Sequence, residues 1–303
     1  MSMLLGYFAG FLTNVVIYTL FVIGLNLQFG YTGLINFGHV AFLAVGAYTV
    51  AILVTHHAPI LLAVLAGMAV AALFSFLLGY PALRLRDDYL AIVTIGFAEV
   101  LRIWLNNVSF TNGPEGIGGF AVPLSWLPVS HDAWRWLFLL LCAAVTAVVF
   151  AAVEYLARSP WGRVLKAIRE DEDVAVALGK NIVSYKLAAL ALGAAIAGLA
   201  GGLTAFFYQY INPHNFEATI TFEAWTIMVL GGVGKNWGAV LGAVIYFGLY
   251  TITSEFTSSP IGPFSTDQLA ALRIVLIGVV LILLMIYRPQ GILGRKEDLG
   301  LDR

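Results

Sequence analysis

The sequence predicts an all-α, polytopic membrane protein of about eight to ten transmembrane helices, some of them broken or re-entrant. Three observations carry that prediction. The chain is 60% apolar and 11% charged, with a mean hydropathy of +0.90; a soluble domain carries about 25% charged residues. No residue before Arg84 is charged. Apolar runs of roughly 20 residues recur, each long enough to cross the hydrocarbon layer of a bilayer. The short alternating segments of a membrane β-barrel do not occur.

Taken in order, the expected spans are 7–27, 33–54, 59–80, 89–106, 135–156, 187–209, 218–234, 238–256 and 269–287. The second and seventh are rich in glycine or polar residues, which marks them as the broken or re-entrant ones. The N-terminus lacks the basic segment and small-residue cleavage site of a signal peptide, so the first run reads as a retained span. Cys142 is the only cysteine, which excludes an intrachain disulfide and a thiolate metal cluster. A net charge of −1 with no basic tract offers nothing to nucleic acid. The whole chain, 1–303, reads as one transmembrane domain interrupted by a charged loop at 157–186.

Lysine and arginine set the expected orientation, because positive residues favour the cytoplasmic side. Arg158, Arg163, Lys166, Arg169, Lys180 and Lys186 cluster in that loop, and Arg288, Arg295, Lys296 and Arg303 lie at the C-terminus. Arg84 and Arg86 mark a further inner loop. The C-terminus is then cytoplasmic, while the segment 107–133 and the N-terminus lie outside. Within that outer segment Trp126, Trp134 and Trp136 fit a membrane-interface anchor. Two Gly-rich stretches, GYTGLINFGHVAFLAVGAY and GGVGKNWGAVLGAV, fall in the two halves and hint at internal pseudo-symmetry.

The charged loop has a regular pattern. Ser159 is a good N-cap and Pro160 suits the first helical position. Trp161, Val164, Leu165 and Ile168 then share one helical face, with Arg163, Lys166 and Arg169 off it. This predicts an amphipathic helix lying along the membrane surface. The run Glu170–Asp173 favours the N-terminal turn of a second helix, over about 172–178, and Gly179 terminates it. Val174, Ala177 and Leu178 form a small apolar knob suited to a groove on a cytoplasmic partner. A plain connector whose charges only set topology is the alternative.

At these residues the chain resembles a known family. EDEDVAVALGKNIVSYKLAALALGAAIAGLAGGL is similar to the cytoplasmic loop and following helix of ABC-importer permeases, and more closely to LivM-type permeases of branched-chain amino acid importers. GLNLQFGYTGLINFGHVAFLAVGAY, RLRDDYLAIVTIGFAEVLR followed by TNGPEGI, GGVGKNWGAVLGA and MIYRPQGILG resemble further segments of that family, in order, over most of 24–294. The resemblance implies that Glu172, Asp173, Val174, Ala177, Leu178 and Gly179 form a coupling helix that docks on a separate ATPase. It also implies a second homologous permease, an extracytoplasmic solute-binding protein and a place in the bacterial inner membrane. No cofactor would be bound by this chain; ATP would be used by the partner subunits. GGVGK is no phosphate loop, since Val229 stands where its first glycine belongs and Asn236 follows Lys235.

Polar residues inside spans need a reason. Asn36 and His39 lie in the Gly-rich second span, as gate residues or as groups satisfied by backbone. Glu99 lies 12 residues beyond Asp87, about 18 Å along a helix, with Arg102 on the same side. They form a structural pair or a lumen-facing pair that recognises a zwitterion. Glu223 ranks lower. Gly198 and Gly202, and Gly234, Gly238 and Gly242, recur at i+4 and allow close helix approach. Urea and short-amide importers have similar permeases. An ion-coupled transporter would carry more intramembrane carboxylates, and a membrane-embedded enzyme would need a catalytic cluster that the sequence lacks.

Overall fold

The computed structural model describes residues 2–82, 85, 87–258 and 290–294, with scattered positions between 268 and 288. Ten α-helices occur among them: α1 (Ser2–Leu25), α2 (His39–Thr55), α3 (Ile60–Ala82), α4 (Asp87–Asn107), α5 (His131–Arg158), α6 (Pro160–Glu170), α7 (Glu172–Ala177), α8 (Ile182–Tyr208), α9 (Ala218–Gly231) and α10 (Asn236–Ser258). The chain is therefore all-α and polytopic. Eight of the nine expected spans appear as helices near their expected bounds. The ninth, 269–287, lies largely outside the described residues, as do Arg84, Arg86, Arg295, Lys296 and Arg303.

Five of these helices are long and apolar enough to cross a membrane, or six if α9 and α10 form one bent unit, their axes turning by 113°. The second expected span is broken. A π-helical turn, Asn26–Gly30, extends α1. Tyr31 and Thr32 continue the helix; the chain then runs without regular structure from Gly33 to a turn at Phe37–Gly38, and α2 starts only at His39. A helix start away from water must satisfy its own N–H groups. Side chains do so here: Gly38 N donates to Asn36 Oδ1 (2.9 Å), Phe37 N to Thr94 Oγ1 of α4 (3.1 Å) and Val40 N to Thr221 Oγ1 of α9 (3.0 Å).

α2 and α8 form the centre, packed on each other and on α3 and α1. α8 is rich in Ala and Gly, and α2 places Ala44, Gly46, Ala47 and Ala51 among its residues, so the backbones approach closely. A Cβ built on Gly46 would fall 2.1 Å from Gly198 O, so no side chain fits there. α3, α4 and α5 stand at the periphery with rows of large exposed apolar side chains.

The helices share two ends. At one, Gly6 lies beside Arg135, and the segment after α4 pairs with the segment after α8 through a short antiparallel ribbon, β1 (Ile117–Gly118) with β2 (Tyr210–Ile211). Trp134 is buried here and its Nε1 donates to Pro123 O at 2.8 Å. It holds the loop down rather than anchoring in a membrane interface; Trp126 is the exposed one. At the other end lie the π turn, α6, α7 and the Gly232–Lys235 turn. Ile292 and Leu293 donate backbone hydrogen bonds to Leu230 and Gly231 beside that turn.

α6 corrects one expectation. Its apolar face is buried against the protein's own α5 and α8, with Leu165 and Ile168 inaccessible. The periodicity identifies the right face, but the protein's own bundle, rather than lipid, covers Leu165 and Ile168.

Candidate functional site

The charged loop folds from local signals. Ser159 caps α6, accepting from Gly162 N at 3.4 Å, with Pro160 at the first position. Asp171 ends α6 and caps α7, accepting from Val174 N at 3.0 Å. Gly179 takes φ +74° and closes α7, a conformation open mainly to glycine. Glu172 is ion-paired with Lys186 at the start of α8, which ties the short helix to the bundle. Val174, Val176 and Leu178 are 54%, 58% and 70% exposed. Asp173, Ala177 and Gly179 are exposed as well, and only Ala175 turns inward. The knob therefore includes Val176 as well as Val174 and Leu178. Three large apolar side chains on a capped, tethered turn thus form an exposed apolar patch outside the core.

The intramembrane residues divide into two groups. Asn36 and His39 are buried. Asn36 donates to Gln28 Oε1 at 2.8 Å and its carbonyl accepts from Trp225 Nε1 at 3.2 Å. His39 Nε2 lies 3.2 Å from Phe21 O, and its ring stacks on Phe21 at 4.6 Å. Both residues brace the α2 start. Glu99 and Arg102 instead face outward from α4. Arg102 donates to both carboxylate oxygens, at 2.9 and 2.5 Å, with the two side chains 42% and 21% exposed.

Two features were not foreseen. Phe37, Phe222 and Trp225 form an aromatic face beside the α2 start, with Phe37 centred 5.4 Å from Phe222 and 4.8 Å from Trp225; no spacing in sequence joins residue 37 to 222. Glu223 accepts from Tyr18 OH at 3.0 Å and is bonded to Tyr246. It lines a cleft of about 900 Å³ between α1, α5, α8, α9 and α10, together with Asn14, Arg135 and Tyr208. Helical period alone could not rank Glu223 against Glu99, because it does not say which face meets a cavity.

The glycines sit at close approaches. Gly238 and Gly242 lie against the α9 backbone at Gly231 and Ile227, Gly198 lies against α3 at Gly67 and Ala71, Gly202 against Val50, and Gly234 in the turn beside Gly30.

A bundle of long apolar helices, with interruptions and a capped charged loop at one end, has the architecture of a polytopic membrane protein. Residues 7–285 match the family described as "Branched-chain amino acid transport system / permease component". The chain is 35% identical to the high-affinity branched-chain amino acid transport system permease protein LivM of Salmonella typhimurium, covering 93% of this chain and 68% of that one. It is 28% identical to the probable LivM of Methanocaldococcus jannaschii, over 92% and 91%. It is 27% identical to LivH of Salmonella typhimurium, over 92% of each. No solved structure matches. The chain belongs to the family of branched-chain amino acid transport permeases, and it is a transporter component, not an enzyme.

Proposed function

We propose that this chain is one permease subunit of an ATP-driven importer for branched-chain or other hydrophobic neutral amino acids. A separate ATPase grips α7. ATP closes the ATPase pair, each copy drags a coupling helix, and the spans swing between outward and inward access. The observation that carries this reading is the α7 knob, with its exposed Val174, Val176 and Leu178 between a capped start and a glycine stop. A secondary transporter has no need of such a handle. Permeases of both LivM and LivH type are similar to this chain, which supports a heterodimer of two homologous permeases. An extracytoplasmic binding protein delivers the solute to the end that carries the β1–β2 ribbon.

The proposed location is the bacterial inner membrane, with α6, α7 and the C-terminus cytoplasmic and the N-terminus outside. Six lysines and arginines in 158–186 lie at the end where Ile292 and Leu293 pair with Leu230 and Gly231, while Gly6 lies at the other end. In this reading Asn36 and His39 form a gate at the start of α2, and the Glu99–Arg102 pair lines the path. The experiment is to delete 170–179 and co-purify the permease with its ATPase. Loss of the ATPase with the permease still in the membrane is the expected result; an intact complex ends the coupling-helix reading.

A further inference from the structure

We infer that Arg169 is a positioning residue that carries movement of the cytoplasmic loop into both helix breaks at once. The inference rests on the ATP-driven reading, because it assigns the link between the gripped helix and the moving spans.

Arg169 stands two residues before Asp171, the residue shared by the end of α6 and the cap of α7. Its Nη1 donates to Gly30 O at 2.5 Å, the last carbonyl of the π turn and within the final turn before the first break at Gly33. Carbonyls at a helix end have no partner within the helix and carry partial negative charge, so a guanidinium binds them strongly. At the break, Gly33 has φ +74°, and a Cβ there would lie 3.5 Å from Arg169 Cγ. The aliphatic stem of Arg169 thus packs where the chain turns back. The second break is equally close. A Cβ on Gly234, in the turn between α9 and α10, would lie 3.1 Å from Arg169 Nη1 and 3.1 Å from Gly30 O.

The two breaks are also tied directly. Gly234 N donates to Asn26 Oδ1 at 2.8 Å, and Asn26 Nδ2 donates to Asn236 Oδ1 at 3.1 Å. Asn236 Nδ2 donates in turn to Glu154 Oε2 at 3.0 Å, and Glu154 accepts from Arg158 at the end of α5. One turn before Arg169 on α6, Lys166 stands 5.7 Å from the centre of the Tyr31 ring. A pull on α7 therefore reaches the bundle by two routes. The Glu172–Lys186 pair leads into α8, the closely packed centre. Arg169 leads into the two places where helices are already interrupted and backbone can turn. Interruptions yield at lower energy than packed helices do, so the second route moves the spans. An arginine keeps its charge at any working pH and presents several donors in a rigid fork, which suits one side chain serving two backbones.

The test uses the whole complex, both permeases with ATPase and binding protein, in liposomes, with L-leucine as the probe. Uptake and ATP hydrolysis are measured together. In Arg169→Ala the ATPase stays bound and still hydrolyses ATP, while leucine moved per ATP falls about tenfold, the upper range for residues that carry coupling between sites. An assembled alanine complex with the wild-type ratio overturns the inference; so does a parallel fall in both rates, which marks a residue that only holds the fold. Should the alanine complex fail to assemble, Arg169→Lys decides. It keeps the charge and one hydrogen bond but loses the fork, and an intermediate ratio supports the inference while an unchanged one overturns it. A wild-type complex that transports leucine without hydrolysing ATP sinks the ATP-driven reading itself, and the inference with it.

Discussion

α3 and α4 follow one another in the chain, and both stand at the edge of the bundle with long exposed faces. They are chemically different. α3 contains no charged residue, whereas α4 contains Asp87, Asp88, Glu99 and Arg102. α3 turns out Leu61, Leu62, Leu65, Leu73 and Leu77, and its buried serine, Ser75, faces the protein. α4 turns out Ile92, Val100 and Ile103, but also Trp104 and the Glu99–Arg102 pair. Acyl chains solvate the first face and not the second, because an ion pair in hydrocarbon loses its hydration on every open side. Exposure in a single subunit is therefore two different things in one molecule. The α3 face is of the kind that lipid covers. The α4 face carries an ion pair that favours water or another protein beside it.

Three substitutions break or sharpen that contrast. The largest effect is expected for Leu73→Arg, which puts a charge near the middle of the α3 face at about 3 kcal/mol on insertion scales. The amount of permease recovered from membranes should drop severalfold; normal insertion and uptake would mean that α3 does not face lipid. Glu99→Gln comes next. It neutralises one side of the α4 pair in place, so assembly should hold while uptake falls about fivefold, as a coupling loss near 1 kcal/mol gives. Unchanged uptake would make the pair structural and remove it from the path. The smallest effect is expected for Leu73→Val. A lipid-exposed methylene has no fixed partner, so stability in detergent should change by less than about 0.5 kcal/mol. A larger loss would show that α3 packs against a protein neighbour.

How much of this was legible in the sequence differs between regions. The spans were readable because a bilayer demands long apolar runs, and eight of nine fall among the described helices near their expected limits. The α6–α7 loop was readable in detail because capping is local: Ser159, Pro160 and Gly179 act on their own turns. What covers the face of α6 was not readable. Leu165 and Ile168 look the same to a periodicity count whether they meet lipid or α5 and α8. Glu223 was undervalued for a related reason, since its partners Tyr18 and Tyr246 are remote in sequence and no local pattern joins them. The Asn26–Asn236 bond between the two Gly-rich regions was equally hidden.

The sequence by itself determined that this protein lives in a membrane, where its helices run, and that one capped, charged loop stands apart from them. Those properties follow from hydropathy, charge and end-capping, each of which acts within a turn or two of chain. Only the tertiary structure decided which apolar faces meet protein, which polar residues are enclosed and which look outward, and that both helix breaks converge on Arg169. In a bilayer the hydrophobic effect does not distinguish a lipid-facing leucine from a protein-facing one. That choice is made by packing and by hydrogen bonds between residues far apart in the chain.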